Sequence, residues 1–263
     1  MLVGQGATPL TTDPLRRYLR RSSTSSRAIS FDFLASFFMW APVLLFSIVA
    51  HEYAHAEAAY RQGDDTAYML GRLTLNPLKH IDPFMTVLFP VVLWFASNGA
   101  FTFGAAKPVP VTPRKYRHFR RGDIIVSLAG IATNLALFVA ASALFAVVGL
   151  LGQGLPAFVT TWAILQRMLF YAMWMNLLLA FFNLLPIPPL DGSHVFKYVL
   201  SPAAGLKYRQ LYGMGYMPII AFLLFVRLVP AARGIYLWPA QELMQGALSL
   251  VGRFHVSDGA FPP

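Results

Sequence analysis

The sequence predicts an all-α polytopic membrane protein, a transmembrane helix bundle with a short membrane-associated β or re-entrant region between its first two long core helices. Three observations predict it. Of the 263 residues, 57% are hydrophobic and only 12% charged, with a mean hydropathy of +0.56, whereas soluble domains run near a quarter charged. Apolar runs of membrane-spanning length recur over most of the chain and leave no stretch for a separate soluble domain of ordinary size. The 21 Lys and Arg, against 11 Asp and Glu, sit between those runs. There they orient helices and meet anionic head groups, which argues against nucleic acid as a partner. With no cysteine, disulfides and thiolate metal sites are excluded, so any metal must be held by His and carboxylate.

The expected organisation is a flexible basic tail over residues 1–30, a single membrane domain over 31–255 and a C-terminal tail over 256–263. The tail carries Arg16, Arg17, Arg20, Arg21 and Arg27 ahead of an abrupt rise in hydrophobicity. That rise resembles a secretory signal, but the apolar run is long and leads into ionisable residues rather than a small-residue processing site, so it reads as a retained helix over 33–62. Gly63-Asp64-Asp65 ends it. Residues 67–75 read as strand-like, closed by Asn76-Pro77.

The apolar segment 84–97 is broken by Pro90 and, at about 1.5 Å per residue, reaches roughly 21 Å, short of a hydrocarbon core of about 30 Å. A re-entrant or tilted path follows from that length. Residues 101–111 read as extended because their prolines forbid helix. A basic loop follows, with Arg114, Lys115, Arg117, Arg120 and Arg121. Three apolar zones complete the chain: 124–151, 158–185, and the pair 217–229 and 235–251. Between the last two zones, Asn183-Leu184-Leu185-Pro186-Ile187-Pro188-Pro189-Leu190-Asp191-Gly192 must break a helix close to the membrane.

The chemistry gathers at His51-Glu52-Tyr53-Ala54-His55, at the end of the first apolar run. Ionisable side chains there need compensation and are a functional hypothesis by default. On a helix, His51 and His55 lie one turn apart on one face and can reach a single cation, with zinc the natural choice. Glu52 is rotated by about 100° and can stand beside the metal as general base. A third protein ligand must come from a distance, because a catalytic zinc takes three and leaves one position open. Asp191 alone among the carboxylates follows a long apolar helix and a proline break, and it is the expected ligand. Arg61 stands where extended soluble motifs place a third histidine, and Glu57 is too near along the same helix. His194 stays open as a further ligand.

These residues carry a resemblance. His51-Glu52-Tyr53-Ala54-His55, Ala129-Gly130-Ile131-Ala132-Thr133-Asn134-Leu135 and the block ending Leu190-Asp191-Gly192 resemble, in order and spacing, the site-2 proteases, intramembrane zinc metallopeptidases of family M50. Gly71-Arg72-Leu73-Thr74-Leu75-Asn76-Pro77 and Ala106-Lys107-Pro108-Val109-Pro110 narrow the likeness to the compact bacterial branch, without PDZ or CBS modules. The resemblance covers about residues 40–200. It implies one zinc per chain on His51, His55 and Asp191, and Glu52 as general base. It also implies that Asn134 and Asn183 orient substrate or polarise its carbonyl, although each reads equally as an interhelical hydrogen bond. Ile131 departs from the family, which often has proline there.

Metal bonds of about 2 Å force the ligands to one membrane depth. Both ligand sets lie near the C-terminal ends of their helices, so those helices must run the same way, with an odd number of crossings between them. Residues 124–151 supply one, so 84–97 must enter and leave on one side. By the positive-inside rule the site then faces the cytosol of a multi-pass cell-membrane protein. The basic tail fits that rule only if it lies along the membrane surface or 31–50 hides a further turn.

The expected reaction is hydrolysis of peptide bonds in transmembrane protein substrates, single-pass ones foremost. The extended stretch around Lys107 and Val109 would receive the unwound substrate as an added strand, the alternative being an ordinary loop clamp. Membrane lipids are the other partner, and the oligomeric state is left open. The rival is a membrane zinc transporter or a non-catalytic metal-binding membrane protein. A transporter needs polar residues along a route to both faces, and the apolar zones supply few.

Overall fold

A computed structural model describes residues 31–97, 104 and 106–256. The chain divides into Met1–Ser36 and Phe37–Pro263. The predicted tail over 1–30 lies outside the described residues, as do 257–263 and, within the predicted extended stretch, 101–103 and 105.

Helix α1 (Phe31–Arg61) is continuous, so no turn interrupts 31–50. Its end is a glycine stop. Gly63 takes φ +105°, Asp64 N–H bonds the Ala59 carbonyl at 2.9 Å and Gly63 N–H the Tyr60 carbonyl at 3.0 Å. That pair of bonds satisfies carbonyls the last turn would leave orphaned.

The strand expected at 67–75 does not form, and no strand occurs among the described residues. Residues Thr66–Met69 make a helical turn, α2, instead. Two local devices override the alternating pattern. Asp64 Oδ1 accepts from both the amide and the hydroxyl of Thr66, and Gly71, at φ +63°, closes the turn as Arg72 N–H bonds the Ala67 carbonyl at 2.8 Å. The described part of the other extended stretch has no ladder partner either. It runs as a strap over the end of α1, its amides spent singly: Lys107 N–H on the His80 carbonyl (2.8 Å), Val109 N–H on Glu52 (2.8 Å) and Thr112 N–H on Asp64. Arg117 N–H reaches the Gln62 carbonyl at 2.8 Å. Beneath the strap, Ala56 and Ala59 are fully buried, small enough for backbone to approach closely.

Helix α3 (Pro83–Ala96) is short and apolar. Its first turns, Pro83–Leu88, are widened to π-type, with Asp82 accepting from the amides of Phe84 and Met85. Helices α4 (Phe119–Gly154) and α5 (Val159–Leu184) form the central pair. After the proline break come α6 (Asp191–Phe196), α7 (Pro202–Gln210), α8 (Met217–Leu228) and α9 (Pro230–Val251).

Side-chain bonds set the directions. His51 meets Asn134 while His55 meets Val126, so α1 and α4 are antiparallel. Asn134 meets Asn176 and Phe145 meets Gln166, so α4 and α5 are antiparallel too. Helix α5 therefore runs with α1, as the ligand argument requires. One core packs Phe138, Ala141 and Phe145 of α4 on Met173 and Leu177 of α5 and on Ala240 and Met244 of α9. A second packs Trp40, Leu44 and Ile48 of α1 against Tyr171, Met175 and Leu179 of α5. Three spans are long and apolar enough to cross a membrane: Leu34–Arg61 in α1, Phe119–Gly154 as α4, and Pro156–Leu184, which is α5 with the turn before it. Their outer faces expose large apolar side chains such as Phe46, Val139, Leu150 and Phe170, which lipid rather than water would solvate.

Candidate metal centre

Helical spacing places His51 and His55 on one face of α1, their rings edge to face with centroids 4.6 Å apart. The break after α5 turns the chain so that Asp191, the first residue of α6, comes back to them. His51 Nε2 and His55 Nε2 stand 3.0 Å apart, and Asp191 Oδ2 lies 3.2 Å from each. The two rings are buried, and Asp191 Oδ2 is buried without a hydrogen-bond donor among the described residues.

The behaviour of the outer ring nitrogens explains why three acceptors converge. His55 Nδ1 is 2.7 Å from the Val126 carbonyl and His51 Nδ1 is 2.6 Å from Asn134 Oδ1. Each Nδ1 donates outward, which leaves both Nε2 lone pairs turned inward toward the carboxylate oxygen. Three lone pairs so placed repel one another unless a cation sits among them. Tetrahedral ligands on bonds of about 2 Å are roughly 3.3 Å apart, close to the spacing observed. The three residues thus fit a metal ion, as a His, His, Asp group whose ligand atoms lie within 4.8 Å of one another. Gly130 of α4 passes directly against both rings: a Cβ there would fall 2.5 Å from His51 Cε1 and His55 Nε2. Gly192 is equally constrained, since a Cβ there would strike the Leu184 carbonyl at the end of α5.

Glu52 shares with the three residues a cavity of about 560 Å³, walled by Met85 and Phe89 of α3, Leu179 and Phe182 of α5 and Ile219 of α8. Its Oε2 accepts the Val109 amide at 2.8 Å, which fixes the carboxylate between the strap and the three converging side chains. Tyr116 also lines this space, and burial, reinforced by the Asp123 and Asp64 carboxylates, pushes its phenol above the ordinary value. It stays neutral there.

The remaining predicted residues are placed differently. Asn183 lines the cavity, and its amide donates to the Leu179 carbonyl one turn back at 3.0 Å. Asn134 is fully buried behind His51. Val109 and Lys107 both lie on the strap, but their amides are engaged by Glu52 and His80, and Arg72 donates to the Lys107 carbonyl at 2.9 Å. His194 lies on the cavity wall, 3.3 Å from Asp123.

Two residues escaped the sequence reading. Asp123, buried near the start of α4, takes Lys197 Nζ at 2.6 Å and the Tyr198 hydroxyl at 2.8 Å, tying α4 to the element that begins at Asp191. Asn176, buried in α5, donates to Ser47 and accepts from Asn134. A polar residue in an apolar span was the available signal for Asn176. Nothing local marks Asp123, which sits in a basic loop margin where carboxylates are ordinary.

The comparisons with known proteins agree with this geometry. The family described as Peptidase family M50 matches residues 39–226. The Putative zinc metalloprotease YwhC of Bacillus subtilis is 38% identical over 199 residues, 74% of this chain and 82% of that protein. The Putative zinc metalloprotease Rip2 of Mycolicibacterium smegmatis is 30% identical over 180 residues, covering 68% of this chain and 64% of that protein. Its namesake from Mycobacterium tuberculosis H37Rv is 33% identical over 190 residues, 72% and 66% of the two chains. No solved structure matches. With the family match covering both histidines, Asp191, the second and third long apolar helices and most of the first, the chain belongs to peptidase family M50.

Proposed function

We propose that this zinc metallopeptidase cleaves peptide bonds of membrane-spanning proteins within or near the bilayer, with His51, His55 and Asp191 as the zinc ligands and Glu52 as the general base. The carrying observation is the triangle of buried acceptor atoms at 3.0–3.2 Å, formed by residues of a helix long enough to cross a membrane and of the turn after a second one. Bound zinc supplies a Lewis acid that polarises the scissile carbonyl and acidifies a water.

The chain's own residues do the rest. Glu52, held by the Val109 amide, takes the proton of the attacking water and returns it to the leaving amine. The apolar walls of the cavity keep bulk water from the cleavage point and accept an unwound apolar segment. Asn183, at the cavity wall, is the polar group placed to meet the substrate backbone. The strap's amides at 107 and 109 are taken and Arg72 holds its carbonyls at 107 and 108, so pairing with substrate there exchanges one of these bonds for another.

Membrane placement follows from the same residues. With α1, α4 and α5 alternating in direction, the short α3 enters and leaves on the side of the metal centre. Arg61, Arg72, Lys79 and the basic loop 114–121 gather on that side, which sets it toward the cytosol. The domain runs over 31–255 in this reading.

Glu52→Gln tests the assignment in purified protein reconstituted with candidate transmembrane substrates. It should keep zinc and lower cleavage by about 10²–10⁴-fold. Cleavage at the wild-type rate would remove Glu52 from the mechanism, and loss of zinc with activity would make it a ligand instead.

A further inference from the structure

Behind the metal centre lies a chain of buried amides that ends on backbone. Asn176 Nδ2 donates to the Ala172 carbonyl at 2.9 Å and to Ser47 Oγ at 3.0 Å. Ser47 in turn donates to the Val43 carbonyl at 2.8 Å. Asn176 Oδ1 accepts from Asn134 Nδ2 at 2.8 Å, and Asn134 Oδ1 faces His51 Nδ1 at 2.6 Å. Ser47, Asn134 and Asn176 are at most 2% exposed, so water does not offer any of them a substitute partner.

The direction of every bond is set from the far end. A backbone carbonyl can only accept, so Asn176 must turn its NH₂ toward Ala172 and its oxygen toward Asn134. A flip would press two acceptors together at 2.9 Å. Asn134 must then donate to Asn176, which leaves its own oxygen for His51. Facing an acceptor, His51 Nδ1 carries the proton and Nε2 keeps the lone pair. His55 needs no such chain, because the Val126 carbonyl holds its Nδ1 directly.

We propose that Asn176 is a positioning residue that acts through Asn134 to hold His51 in the tautomer able to ligate zinc. This rests on His51 being a zinc ligand. Were Asn176 unable to orient it, Asn134 could flip and donate to His51 Nδ1, moving the imidazole proton to Nε2 and blocking the ligand position. The pair thus serves the metal rather than the substrate.

The test is Zn²⁺ affinity of the full-length apo-protein in detergent, by chelator competition on the folded, monodisperse fraction. Asn176→Leu should weaken binding by about 10–100-fold, with Asn176→Ala as the second variant if leucine is not accommodated. Asn134→Asp offers only oxygens to His51 and needs no orienting partner. The double variant Asn134→Asp with Asn176→Leu should therefore return to within about threefold of wild type.

A merely structural Asn176 would not be rescued by a change at residue 134, so failure of that rescue overturns the proposal. So does wild-type affinity in Asn176→Leu and Asn176→Ala. His51→Leu separates the two layers. It should abolish tight binding, and if it does not, the ligand assignment falls and the relay with it.

Discussion

Gly130→Ala sets a favourable local change against an unfavourable contact. Alanine in a helix interior is favoured over glycine by roughly 0.5–1 kcal/mol, so backbone preference alone predicts a more stable protein. The new Cβ, however, would lie 2.5 Å from His51 Cε1, 2.5 Å from His55 Nε2 and 2.7 Å from His51 Nδ1. Non-bonded carbon contacts settle near 3.5–4.0 Å, so the rings must retreat by about 1 Å. They have little freedom to do so. His55 is tied to the Val126 carbonyl one turn along the same helix, and His51 to Asn134.

Overpacking of this kind costs about 1–3 kcal/mol, which outweighs the helix term by roughly 1 kcal/mol. Zinc bonds tolerate about 0.2 Å, so the larger loss falls on the metal centre. Zinc affinity should drop by more than about 10-fold, and kcat/KM by about 100-fold, with only a small fall in thermal midpoint. Zinc content, chelator competition and cleavage of a reconstituted substrate measure these outcomes. Gly246→Ala is the control, since a Cβ there meets nothing within 4 Å. Wild-type zinc affinity and turnover in Gly130→Ala would refute the reasoning from close approach.

Asp123→Ala deprives Lys197, only 15% exposed at its side chain, of a carboxylate at 2.6 Å. Breaking such a pair costs about 3–5 kcal/mol, and loosening α6 at its C-terminal end, where Lys197 follows Phe196, should weaken zinc binding by about 10-fold, read by thermal denaturation and chelator competition. Gln166→Leu strands the Phe254 carbonyl and the Val256 amide, at about 1–3 kcal/mol per unsatisfied group. Limited proteolysis should then cut near 252–256, while zinc affinity stays unchanged, because Gln166 lies ten residues, roughly 15 Å, along α5 from Asn176.

The sequence by itself determined the membrane class, the long apolar helices and the half of the metal centre that lies on one helix. Those features are encoded locally: hydropathy over about 20 residues, and a four-residue spacing that puts His51 and His55 on one face. Asp191 was legible too, though by a different route, because a carboxylate after an apolar helix needs a partner. The alternating pattern at 67–75 misled, since Asp64 and Gly71 wind the stretch into a turn before any strand edge can pair with it.

Only the tertiary structure decided what stands around the ligands. In one dimension Asn134 reads as a substrate contact or as an interhelical hydrogen bond, and packing of α1, α4 and α5 puts it behind His51 with Asn176 at its back. Asp123 gained its partner from a turn more than 70 residues away. The steric limit at Gly130 exists only because two imidazoles come to rest against it. Local propensity and hydropathy depend on neighbours along the chain, whereas a hydrogen-bond partner or a steric limit is supplied by whichever helix the fold brings alongside. That is why the three converging residues were readable in advance and the groups packed behind them were not.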